Sequence, residues 1–175
     1  MKRRSLLALP LILAACDIDP VTDYLGGFGD PVRGAALFAP RNLGDTSRWQ
    51  DDPAGAAMAA AQLEFLARSF RENPIYSVNS NPATSQTLQS AVAEMRATLG
   101  IAPGARNVDV EILLRRASVA LREGSQAQAL AALTGPNFTV PPEEVLRRLG
   151  DLPRLPIVAA AAGMAANEIS PGRRS

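Results

Sequence analysis

Leu88-Gln89-Ser90-Ala91-Val92-Ala93-Glu94-Met95-Arg96-Ala97-Thr98-Leu99-Gly100 is the stretch whose periodicity sets the fold class. Its large apolar side chains, Leu88, Val92, Met95 and Leu99, recur at i, i+4, i+7 and i+11, which places them on one face of an α-helix, and Gly100 stands where a helix end takes a residue free to adopt positive φ. The same period continues on both sides. Upstream, Asp52 is a candidate N-cap with Pro53 at the first helical position, and Met58, Phe65, Leu66 and Phe70 fall on neighbouring turns of a run to about Arg71. Asn73-Pro74 and Asn79-Ser80-Asn81-Pro82 then predict a loop. Downstream, beyond Pro103-Gly104, Val110, Leu114, Ala117 and Leu121 repeat the spacing, with Asn107 as candidate cap and Asp109 and Glu111 near the positive end of the helix dipole.

Gly124 stops that helix, and Ser125 starts a shorter one through Ala127, Leu130 and Leu133, ended by Gly135-Pro136. So short a connection makes the two helices antiparallel neighbours. Pro141-Pro142-Glu143-Glu144 opens a further helix carrying Val145, Leu146 and Leu149 up to Gly150. Residues 157–166 form an apolar run below the roughly 20 residues that a membrane span requires, so they are assigned to a buried closing helix. The expected architecture over residues 53–169 is all-α: a small bundle of five to six short helices with antiparallel hairpins. The segment around the Gly124 turn resembles a tetratricopeptide hairpin, in which small residues let two helices approach closely. No second copy stands near a 34-residue offset, so a single helical hairpin is expected rather than a repeat array.

Length and composition agree with one globular domain: 175 residues, 47% apolar and 20% charged. Alanine supplies 31 residues while aromatics are 5%, so the apolar content favours close helix approach over a bulky core. Residues 16–52 are rich in Gly, Pro and Asp and hold no sustained period, which predicts an irregular, extended arm. Tyr24, Phe28, Leu37, Phe38, Leu43 and Trp49 are more large apolar side chains than a solvated linker keeps, and the part from about Pro31 is expected to pack on the domain. Residues 170–175 read as a frayed tail.

The N-terminus reads as an address. Met1-Lys2-Arg3-Arg4 is cationic, an uncharged apolar stretch follows over residues 5–15, and Leu13-Ala14-Ala15-Cys16 closes it. This order of parts resembles the signal peptide and lipobox of bacterial lipoproteins. The resemblance implies cleavage of residues 1–15, diacylglycerol on the Cys16 sulfur and acylation of the new amino group, with several acyl chains giving a durable membrane anchor. Asp17 resembles the receptor-read signal that retains some bacterial lipoproteins in the inner membrane, and tilts the expected location there, facing the periplasm.

Composition closes several chemistries. The chain has no histidine and one cysteine, and its only lysine is Lys2. There is thus no imidazole for a catalytic triad or a zinc site, and no Gly-x-Ser-x-Gly elbow occurs. Loss of residues 1–15 leaves 15 basic against 17 acidic residues, a balance of −2 without a basic stripe, which argues against nucleic-acid binding. Asp17, Asp19 and Asp23 lack the spacing of a calcium loop, and Gly26-Gly27-Phe28-Gly29 has neither the preceding strand nor the Gly-Lys-Ser/Thr of a phosphate loop. No metal or cofactor is expected. Glu64 with Arg68, Glu111 with Arg115, Glu143 with Arg147 and Glu144 with Arg148 are spaced i,i+4 and predict pairs on solvated helix faces, each contributing about 0.2–0.5 kcal/mol. Arg115-Arg116 and Arg147-Arg148 are candidate anion clamps, with ion pairing as their ordinary role.

The expected function is non-catalytic: a structural or accessory subunit held to the membrane through Cys16, binding another envelope protein. Phe28, Phe38 and Trp49 are candidate contacts, because aromatics dominate interface energetics, with core packing as the competing role. The alternative is a binder of a small apolar ligand or lipid in a cavity of about 300 Å³ or more between the helices. A hydrolase built on Asp, Glu, Ser and Tyr is the third reading.

Overall fold

The computed structural model describes residues 30–170. Residues 1–15, read above as a signal peptide, together with Cys16, Asp17, Phe28, the Gly26–Gly29 motif and residues 171–175, lie outside the described residues. The elements in order are α1 (Pro31–Leu43), a 3-10 turn (Thr46–Trp49), α2 (Pro53–Glu72), α3 (Pro74–Asn79), α4 (Pro82–Leu99), α5 (Asn107–Arg122), α6 (Gln126–Ala132), α7 (Pro142–Leu149) and α8 (Pro156–Ile169). The described residues are thus all-α. The helix ends are marked as the sequence indicates: Asp52 accepts from the Gly55 amide at 2.8 Å, and Gly100 and Gly124 take φ of 77° and 74°.

Two segments expected to be irregular are helical. Residues 31–43, placed in the extended arm, form α1: the Asp30 carboxylate accepts from the Val32 amide at 3.0 Å and Pro31 is pre-set for the first turn. Val32, Ala35, Ala36, Ala39 and Leu43 are buried at i, i+3, i+4, i+7 and i+11, a stripe built mostly of alanine. The packed part therefore begins by Pro31, as expected for that part of the arm, although it is helical rather than extended and precedes the boundary expected at Pro53. Pro40 removes one backbone donor from the last turn of α1, which ends three residues later at Leu43. The second segment is α3. Asn73 and Asn81 accept from the amides of Ile75 and Ala83, at 3.0 and 2.9 Å, so two of the three Asn in the turn signal cap helices. Residues 53–169 consequently hold seven helices.

α2 is the central element, with α5, α4, α1 and α7 packed around it. Positions 55–61 are buried without interruption, and their side chains are glycine, alanine and one methionine, which admits neighbouring helices from several sides. Ser118 of α5 reaches the backbone, donating to the Ala54 carbonyl at 2.8 Å. α8 lies between α1 and α4. Glu94 accepts from the Val158 amide at 3.0 Å and Thr84 donates to Glu168 at 2.9 Å, so two polar ties fix α8 antiparallel to α4.

The α1–α2 contact carries its own polar pin. Buried Gln62 accepts from Asn42 at 2.8 Å and donates to the Ala35 carbonyl at 2.7 Å. Thr46, fully buried in the 3-10 turn, donates to the Pro153 carbonyl and accepts from the Leu155 amide at 3.0 Å. Trp49 follows and closes over the start of α2. A Cβ on Gly55 would lie 2.4 Å from both the Trp49 ring and the Asp52 carboxylate, so only glycine fits.

Helix propensity alone favours Gly55→Ala by about 0.5–1 kcal/mol. The contact with Trp49 and Asp52 reverses the sign, and Gly55→Ala is expected to destabilise the protein by about 1–3 kcal/mol in denaturant unfolding. Equal or greater stability of the variant would contradict this packing.

Candidate partner interface and the buried charges behind it

Glu64 projects from α2 into the centre of the bundle and is 2% exposed; Arg96 comes to it from α4 and is 5% exposed. The guanidinium meets the carboxylate side-on, Nε to Oε1 at 2.7 Å and Nη2 to Oε2 at 2.8 Å. Nη1 turns the other way and donates to the carbonyls of Pro103 and Ala105, both at 2.9 Å. Asn107, at the start of α5, adds a donor to Glu64 Oε2 at 2.7 Å, and its own oxygen accepts from Arg71 at 3.2 Å. This corrects the expectation for Asn107, whose side chain is spent on Glu64 and makes no cap bond for α5.

Three of the four expected surface pairs are also corrected. Glu64 pairs with Arg96 rather than Arg68, which crosses to Glu111 of α5 at 3.0 Å. Glu111 does meet Arg115, at 2.6 Å, but the carboxylate is buried rather than solvated. Arg68 and Arg115 also stand 5.5 and 5.9 Å from the centroid of Phe65, so two cations share one ring and one carboxylate. On α7, Arg147 and Arg148 both bind Glu144 at 2.7 Å, and Arg147 thus goes to Glu144 instead of Glu143. Helical spacing predicts neighbours on one helix and carries no information about a closer partner on another.

Each buried carboxylate among the described residues, Glu64 and Glu111, has both oxygens engaged by arginine or amide donors. No group of three or more His, Cys, Asp or Glu side chains suited to a metal occurs among the described residues.

α5 is thus held against α2 from one side, and its other side, with α6, faces solvent. Between the two helices runs an open groove of about 560 Å³, lined by apolar Leu113, Val119, Ala120, Ala131 and Ala132 together with polar Arg115, Arg116, Glu123 and Gln128. Ile112, one turn before Arg116, is exposed as well. The signal was present in the sequence: Ile112, Leu113 and Val119 lie off the Val110, Leu114 and Ala117 face and give α5 a second apolar side.

The aromatic candidates part company. Phe38 on α1 is 41% exposed beside exposed Leu37, which leaves it open to a contact. Trp49 packs on the core, donates its indole N–H to the Asn42 carbonyl at 2.8 Å and lies under the Arg48 guanidinium at 5.0 Å, so its visible role is to seal the end of α2. Neither belongs to the α5–α6 groove.

Glu144 gives a pH test of this surface chemistry. Hydrogen bonds from Arg147, then from Arg148, hold its carboxyl down from 4.5 to about 2. A lowered folded-state value means a contribution that is complete above the unfolded value near 4.5 and lost as pH falls toward about 2. Glu144→Gln is therefore expected to flatten the decline of Tm between pH 5 and pH 2, and an unchanged acid limb would contradict the pairing.

No protein-family model, curated protein or solved structure matches this chain.

Proposed function

We propose that this chain is a lipid-anchored protein of the bacterial cell envelope, facing the periplasm, that acts as a non-catalytic structural or accessory subunit by binding another envelope protein. The observation that carries the reading is the α5–α6 groove, an open channel with apolar and charged lining on a domain whose buried carboxylates among the described residues, Glu64 and Glu111, are both engaged. Support for the location comes from the order of cationic start, apolar stretch and Leu13-Ala14-Ala15-Cys16. The shape of the groove suits an apolar helix laid along the hairpin, with its i, i+3 and i+4 side chains seated on Val119, Ala120, Ala131 and Ala132. A small apolar ligand held inside the bundle is the weaker reading. The interior faces that would line such a cavity, Leu88, Met95 and Leu99 of α4 and Val110 and Leu114 of α5, are buried against the rest of the core.

A photo-crosslinking side chain at Val119, introduced in the full chain in its native membrane, is expected to give one discrete adduct with an envelope protein. The same probe at exposed Gln86 of α4 is expected to give none, and Cys16→Ser is expected to release the chain from the membrane. A chain that stays alone under all conditions would contradict the subunit reading; persistent membrane association of Cys16→Ser would contradict the anchor.

A further inference from the structure

α3 is a six-residue helix with no buried residue, and it carries the two most exposed large apolar side chains among the described residues: Ile75 at 63% and Val78 at 79%. They are three residues apart and share one face. Tyr76, between them in sequence, points the other way. Its ring packs on Phe70 with centroids 5.5 Å apart, and its hydroxyl donates to the Asp30 carboxylate. Tyr76 thereby fastens α3 to the residue from which the chain runs back toward Cys16. Fourteen residue steps separate Cys16 from Asp30, a reach of at most about 50 Å.

The segment that carries this pair is also free of charged residues. Positions 73–93 contain no Asp, Glu, Lys or Arg, in a chain that is 20% charged. The nearest acids are engaged, Asp30 by Tyr76 and Glu72 by Arg71 at 2.7 Å, while Arg33 on the first turn of α1 is exposed and close enough to act on Tyr76. An exposed apolar pair on a segment without charged residues, with an exposed arginine on the neighbouring helix, supplies the elements of an interfacial contact.

We propose that α3 is a membrane-docking surface, with Ile75 and Val78 inserted among the lipid headgroups of the bilayer that holds the Cys16 anchor. The inference rests on the lipoprotein reading above. For a free protein two side chains would bind a bilayer too weakly to matter. The tether makes docking an intramolecular event at an effective concentration in the millimolar range, so a weak contact suffices to orient the domain.

The test uses the full, lipidated chain in vesicles of phosphatidylethanolamine and phosphatidylglycerol, with Val78→Cys or, for comparison, Gln126→Cys carrying an environment-sensitive fluorophore. Both positions are exposed, so labelling leaves the fold intact. The expected result is a blue-shifted probe at position 78 that headgroup-labelled lipid quenches severalfold more than the probe at 126. A water-like probe at 78 on a chain that floats with the vesicles overturns the docking and leaves the anchor standing. A blue-shifted probe that lipid does not quench also overturns it, and assigns α3 to a protein partner or a second copy. Two labels per chain in the Val78→Cys protein mean that Cys16 carries no lipid, and then both the anchor and the docking fall.

Discussion

The side-on pair between Arg96 and Glu64 is the contact on which the arrangement of α2, α4 and α5 depends. Two charges taken out of water cost several kcal/mol each, and their attraction offsets that only where the geometry is good and the remaining donors and acceptors are filled. Here they are filled. Both carboxylate oxygens accept from the guanidinium, Asn107 adds a third bond, and the outward Nη1 holds the carbonyls of Pro103 and Ala105. One ion pair thus joins two helices, fixes the loop between α4 and α5 and sets the starting point of α5 on α2.

The candidate interface follows from that placement. With its first turn tied to Glu64 and its middle tied through Glu111 to Arg68, α5 has little freedom to rotate on α2. Val110, Leu114 and Ala117 are held inward, and Ile112 and Val119 are left outward with α6 beside them. Alanine makes such buried charge tolerable. Small side chains on α1, α2 and α8 let backbones approach closely, so the bundle closes around its polar pins with few bulky groups. Where a bulky group does occur, as with Trp49 over Gly55, the backbone beneath it has lost its Cβ.

The helices of residues 53–169 were largely legible, because α4, α5, α7 and α8 announce themselves by Leu and Val at helical spacing and by Pro or Gly at their ends. α1 was not, since its buried stripe is three alanines between Val32 and Leu43, and alanine marks no face in a chain so rich in it. α3 reads as a loop because Asn-Pro serves equally to turn a chain and to start a helix. The charge network was the least legible part. Glu64 and Arg68 have the spacing of a surface pair, and only the approach of α4 reveals that Arg96 claims the carboxylate. The groove left a partial trace in the second apolar side of α5, whereas its other wall on α6 is alanine and silent.

The central claim, that the Glu64–Arg96 pair organises the bundle, is tested most directly by a double-mutant cycle on unfolding free energy with Glu64→Leu, Arg96→Met and the two together. Each single change leaves a buried charge without its partner and is predicted to cost about 3–5 kcal/mol, while the double variant is predicted to cost clearly less than their sum. Costs that simply add would mean that the two residues act independently, and would contradict the account.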